Sequence, residues 1–89
     1  MPTVAFTSAL QRFLPVPATQ VAGATVHDAL AVVFASRPAL RSYILDDQGV
    51  LRRHVNVFVN GDLIHDRVRL TDPVRPDDEI YVFQALTGG

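Results

Sequence analysis

One amphipathic helix in a chain that otherwise reads as strands is the strongest restriction on how this sequence can fold. Val26, Ala29, Leu30, Val33 and Phe34 fall at i, i+3, i+4, i+7 and i+8 and form a single apolar stripe. Thr25 and Asp28 make a capping-box-like start, with Asp in place of the usual Glu or Gln, and Pro38 stops the helix. Ala39 to Leu45 adds a short helical turn before the polar loop Asp46-Asp47-Gln48-Gly49. A lone stripe needs one apolar layer to cover, and the rest of the chain offers strands for it.

Thr3 to Ala9 reads as a first strand with Val4 and Phe6 on one face. Pro15 and Pro17 interrupt, and a short second strand is expected at Thr19 to Ala22. Leu51 to Val59 alternates, with Val55, Val57 and Val59 on one face and His54, Asn56 and Phe58 on the other. Asn60-Gly61 then gives a type I′ hairpin signal. A two-residue turn there pairs Val59 with Asp62, Phe58 with Leu63, Val57 with Ile64 and Asn56 with His65, the return strand running from Asp62 to about His65. Pro73 and Pro76 mark a loop, Asp77-Asp78 a turn, and Ile80 to Gln84 a last strand with Tyr81 and Phe83 facing away from Ile80 and Val82. No repeat, low-complexity tract or linker divides the chain, so residues 1–84 read as one domain and residues 85–89 as a flexible tail ending in Gly-Gly. The economical closure places the first and last strands side by side and parallel. That is an α+β fold of β-grasp (ubiquitin-like) type, a mixed sheet of about five strands packed on one main helix.

Composition narrows the function. A chain of 89 residues buries only about 60–65% of its unfolded surface, which leaves little room for a deep catalytic pocket and argues against a self-sufficient enzyme. The formal net charge of −1 provides no basic field for nucleic acid. Every basic residue is Arg; the absence of Lys excludes Schiff-base and P-loop chemistry, and attachment of another protein to a lysine of this one. The absence of Cys excludes disulfides, thiolate nucleophiles and cysteine-ligated metals, and fits a reducing compartment. The N-terminus lacks a signal-peptide pattern and no run approaches the ~18–20 apolar residues of a membrane span. The expectation is a soluble cytoplasmic domain with no membrane and no nucleic acid among its partners.

Other polar groups yield little chemistry. His54 and His65 fall on one face of adjacent expected strands, but two imidazoles without Cys fall short of a structural zinc site, and no metal is expected. Arg52, Arg53 and the Asp77-Asp78-Glu79 run read as solvated charges and a turn. Ser8, Ser36 and Ser42 lack a motif tying them to a His and an acid. The outward face of the sheet is different. Phe58, Leu63, Tyr81 and Phe83 gather there, and apolar side chains on a solvent face need a cover. Either a partner docks on them or the loop Arg67 to Pro76 folds over them.

The chain ends Ala85-Leu86-Thr87-Gly88-Gly89. At an average glycine usage of about 7%, two terminal glycines arise by chance in roughly 0.5% of chains. A frayed or trimmed end is the bland reading. The chemical reading is that a C-terminal carboxylate is anionic at neutral pH and must be activated before a nucleophile can attack it. The tail must then thread into another protein's active site, where glycine, without a Cβ, permits close backbone approach.

With the helix from Val26, the run Leu51-Arg52-Arg53-His54-Val55-Asn56-Val57-Phe58-Val59-Asn60, the acidic turn before Ile80 and the Gly88-Gly89 end, the whole chain resembles the MoaD/ThiS-type ubiquitin-like sulfur-carrier family. That family includes the small subunit of molybdopterin synthase, the thiamine-thiazole carrier and the carrier of a mycobacterial-type cysteine pathway. The Leu51 to Asn60 run most resembles the cysteine-pathway branch, whereas Gln84 stands where molybdopterin carriers usually have proline. The resemblance implies that an E1-like adenylating and sulfurtransferase enzyme, using ATP and Mg²⁺, activates Gly89. Sulfur then converts it to a thiocarboxylate, which a sulfur-accepting synthase consumes in cysteine, molybdopterin, thiamine or similar biosynthesis. The chain is then a co-substrate and not an enzyme, with no cofactor of its own. Gly88 and Gly89 carry the chemistry; Phe58, Leu63, Tyr81, Phe83, Leu86 and Thr87 dock on partners, and in the family an aromatic matching Phe83 lies in partner contacts. Two other readings stand beside it: a non-covalent interaction module binding through Phe58, Leu63 and Phe83, and a protein modifier joined through Gly89 to a lysine of its target.

Overall fold

The structure, a computed structural model, describes residues 1–7 and 17–84. The alternating runs and the helical stripe become β1 (Thr3–Phe6), β2 (Thr19–Gln20), α1 (Val26–Ser36), α2 (Pro38–Ile44), β3 (Val55–Val59), β4 (Asp62–Leu63) and β5 (Glu79–Gln84). Together the strands form one five-stranded sheet in the order β2-β1-β5-β3-β4. β1 and β5 are parallel neighbours, with Val4 opposite Ile80 and Phe6 opposite Val82; the other pairings are antiparallel. This is the β-grasp arrangement. Ser8 and Ala9 of the expected first strand, and Leu86, Thr87, Gly88 and Gly89 of the tail, lie outside the described residues.

The predicted stripe is the buried face of α1: Val26, Ala29, Leu30, Val33 and Phe34. It packs in one core with Val4, Phe6, Val55, Val57, Ile80 and Val82 from the sheet. Full burial of a side chain such as Leu30 or Phe34 is worth about 1.5–3 kcal/mol. The start of α1 is closed by three groups. Asp28 N–H donates to Thr25 Oγ1 (3.1 Å), Val26 N–H to the Asp72 carbonyl (3.0 Å) and His27 N–H to the Leu70 carbonyl (2.9 Å). Pro38 does stop α1, yet it also opens α2 at once, because proline at the first turn sacrifices only an amide that has no intrahelical partner.

The hairpin has the anticipated turn and register. Asn60 and Gly61 take φ of 51° and 86°, and Phe58 faces Leu63 while Val59 faces Asp62. Strand boundaries differ from the sequence reading: β1 ends at Phe6, β2 ends at Gln20 and not at Ala22, and β5 begins one residue early at Glu79. Two further differences have a clear cause. β3 begins at Val55 and not at Leu51, because Val55 N–H closes a turn on the Arg52 carbonyl (3.0 Å) and Arg52 N–H is taken by Ile44 (3.0 Å). β4 ends at Leu63: Ile64 N–H still reaches Val57, but His65 N–H turns away to Asp72 Oδ2 (2.9 Å), so the expected Asn56–His65 pair does not form. His54 and His65 therefore lie in turns and not on adjacent strands.

The segment after β4 is organised by carboxylates. Asp66 Oδ1 accepts from the amides of Val68 (3.0 Å) and Arg69 (2.9 Å), and Asp66 Oδ2 from the Thr71 hydroxyl (2.6 Å). Asp72 Oδ1 accepts from the Asp66 amide (2.8 Å). These bonds turn Leu70 and Val74 into the core beside α1. Leu70 holds φ of 57° and is 2% exposed, so its burial outweighs a left-handed backbone that a leucine normally avoids.

Candidate functional site

Strand alternation and hairpin register together build the outward face. Ala5 lies opposite Tyr81, Tyr81 opposite Phe58, and Phe58 opposite Leu63, so one row of side chains crosses β1, β5, β3 and β4. Phe83 stands two residues along β5, opposite Asn56. Phe58 is half-buried, whereas Leu63, Tyr81 and Phe83 are 51%, 41% and 41% exposed. The four side chains singled out from the sequence are thus brought together on one face. Ala5, which completes the row, was not foreseen; only the parallel β1–β5 register places it there.

The loop Arg67 to Pro76 does not cover this row. Its apolar residues Leu70 and Val74 point into the core and its carbonyls serve the first turn of α1. From it Arg67 reaches back to the strands, donating to Asn56 Oδ1 (2.8 Å) and to the Arg52 carbonyl (2.9 Å). That is a polar border to the apolar row.

The charged residues mostly hold turns. Arg52 Nε donates to the Ser42 carbonyl (2.7 Å). Asp78 Oδ2 accepts from the Arg75 amide (2.8 Å) and Asp78 Oδ1 from Asn60 Nδ2 (2.8 Å), and these bonds, the Arg75 amide first, hold its carboxyl below the usual range. Asp77 and Asp78 thereby form a turn clamped to the hairpin, and Glu79 already opens β5. Asp66 is lowered to about 2 by the Arg69 amide and the Thr71 hydroxyl. For Asp72, burial pushes upward but the amides of His65 and Asp66 prevail, and its carboxyl is also lowered. His54 meets Gln84 and His65 meets Asp72, so the two imidazoles serve different partners. Among the described residues no three His, Cys, Asp or Glu side chains gather as metal ligands. Nor, among them, is any helix long and apolar enough to cross a membrane.

The ThiS family profile matches residues 13–89. The chain belongs to the ThiS family. Over 66 residues, 74% of this chain and 71% of the relative, it is 36% identical to small archaeal modifier protein 1 of Haloferax volcanii. The crystal structure of that organism's modifier superposes with a TM-score of 0.79 at 30% identity, covering 99% of this chain and 98% of the other. A chain in the crystal structure of the Amycolatopsis orientalis BexX/CysO complex gives a TM-score of 0.83 at 22% identity, with both chains covered completely, a likeness of fold. This ThiS-family chain is accordingly a ubiquitin-like small modifier or sulfur carrier of β-grasp fold.

Proposed function

We propose that the chain carries sulfur on its C-terminal glycine and acts as a co-substrate for two protein partners. The observation that carries this reading is the joining of a family-matched Gly88-Gly89 end to β5, whose outward Tyr81 and Phe83 stand in an exposed apolar row. In the first step a Gly89 carboxylate oxygen attacks the α-phosphorus of ATP, held with Mg²⁺ by an E1-like enzyme, and pyrophosphate leaves. Hydrosulfide then attacks the acyl carbon, and AMP departs with the bonding pair, leaving a thiocarboxylate. With a persulfide donor the product is an acyl disulfide, whose S–S bond a second thiol cleaves as that thiol becomes a disulfide. On a sulfur-accepting synthase the thiocarboxylate sulfur finally attacks an electrophilic carbon of the acceptor, whose leaving group departs, and water hydrolyses the resulting thioester, so that the sulfur stays with the acceptor and the oxygen of water restores the carboxylate. The body of the domain is a handle: Phe58, Leu63, Tyr81 and Phe83 dock it, while Leu86 and Thr87 thread with the glycines. The resemblance of the Leu51 to Asn60 run favours cysteine synthesis among the candidate pathways, and a cytoplasmic location supplies the ATP that this activation needs.

A second reading has its own support in the 36% identity to a protein named as a modifier. There the same acyl-adenylate meets a lysine amine of a target, an amide forms and AMP leaves. Intact mass of the chain from its native cell, taken before any thiol reagent, tests the carrier reading. A gain equal to exchanging one oxygen for sulfur on the C-terminal peptide supports it. An unchanged mass after incubation with ATP, a sulfur donor and every candidate activating enzyme of the organism overturns it. Branched peptides in which Gly89, with the chain segment before it, is amide-linked to a target lysine establish the modifier activity. A chain extended by one residue beyond Gly89 should fold and lose both activities.

A further inference from the structure

Gln84 closes β5 and is the joint from which residues 85–89 continue. Three separate parts of the fold hold it. Its Cα lies opposite Val55 at the start of β3, and its amide donates to Thr7 Oγ1 (3.3 Å) just beyond β1. Its side-chain Nε2–H donates to Nε2 of His54 (3.2 Å), in the turn that precedes β3. Thr7 is itself fixed: it is 5% exposed and its amide donates to the Val82 carbonyl (3.0 Å). A glutamine at a strand end is ordinarily free, and ordering its side chain costs up to ~2 kcal/mol. Here both its main chain and its side chain are tied.

We propose that His54, Gln84 and Thr7 form a positioning clamp that aims the C-terminal segment. It rests on the reading that Gly89 is activated by a partner enzyme. Five residues extend at most ~17 Å from their joint, so holding that joint in one place confines the region in which Gly89 can be presented. A fixed joint reduces the orientations the reacting carboxylate must search, a gain separate from the docking of the domain. The exposed row binds the body and the clamp aims the end; one governs KM and the other kcat.

ATP–pyrophosphate exchange by the organism's E1-like activating enzyme, with the full chain as co-substrate, reads this separation. Gln84→Ala and His54→Ala should lower kcat by about fivefold or more with KM within about twofold. His54→Gln keeps an acceptor near the same place and should retain most of kcat. Phe83→Ser, in the docking row, should instead raise KM. Unchanged kcat in both alanine variants, or a loss confined to KM, overturns the clamp. Amide order parameters of residues 84–86 in the isolated chain give a readout that needs no enzyme. They should fall in Gln84→Ala and His54→Ala while the amide spectrum of the core stays as in the parent, and equal values in parent and variants overturn the clamp. A parent chain that supports no exchange with any activating enzyme overturns the carrier reading instead, and the order parameters still decide whether the joint is held.

Discussion

Asn60 and Asp78, 18 positions apart, are bonded side chain to side chain at 2.8 Å, and the same Asn60 amide accepts the Glu79 N–H at 2.9 Å. The Asn60 N–H in turn donates to the Glu79 carbonyl (2.9 Å). One turn residue thus supplies both the positive φ of the hairpin and the bonds that seat the entry to β5. Asn60→Gly keeps the turn conformation and removes the side chain, and should lower Tm by about 4–8 °C. Asn60→Asp should cost more at neutral pH, since it sets a second carboxylate against Asp78. Thermal unfolding followed by circular dichroism checks both, and equal Tm values for the parent and Asn60→Gly would show the clamp to be idle.

Asp46, Asp66, Asp72 and Asp78 are all held below the ordinary aspartate value of 3.8, Asp66 to about 2. A depressed folded-state pKa means that the unfolded chain binds protons first as pH falls. The stability these groups contribute is complete above about pH 4 and is lost progressively between pH 4 and 2. Urea midpoints should be flat from pH 5 to 7 and drop below pH 4. Asp66→Asn should flatten the acid limb, and an unchanged acid limb in that variant would remove Asp66 from the account.

Gly23 is required by close approach. A Cβ there would stand 2.8 Å from the Ala29 backbone nitrogen and 3.1 Å from its Cα, backbone atoms of α1 that cannot swing aside. Gly23→Ala should destabilise by about 1–3 kcal/mol as the 23–25 segment is pushed off the helix. Chemical denaturation measures it, and a neutral result would mean that the segment relaxes freely.

The exposed row separates binding from folding. Leu63→Ser and Phe83→Ser remove side chains that are half in solvent, and should shift Tm by less than about 4 °C. In pyrophosphate exchange each should raise KM for the chain about tenfold if the row is the docking surface. Loss of stability without any change in KM would return these residues to a purely structural role.

Local sequence determined the elements wherever one residue type had one physical use. The Val26 to Phe34 stripe, the Thr25 cap, the Asn60-Gly61 turn and the alternation of Ile80 to Phe83 each follow from side-chain period or backbone preference. Because register follows from the turn, the Phe58–Leu63 pair was legible too. The glycine end had a chemical reason, and the run from Leu51 pointed to the family by resemblance. What the tertiary structure alone decided are the places where distant groups compete for the same backbone. Leu51 to His54 leave the strand pattern because Ile44 and Arg67 take the amides of Arg52 and Leu51. The loop Arg67 to Pro76 leaves the apolar row bare because the first turn of α1 claims its carbonyls and the core claims Leu70. His54, read from sequence as a polar surface or interface residue on a strand, lies in a turn and meets Gln84, 30 positions away. Periodicity records which face a side chain occupies; only the closed sheet decides which hydrogen bonds remain for it to make.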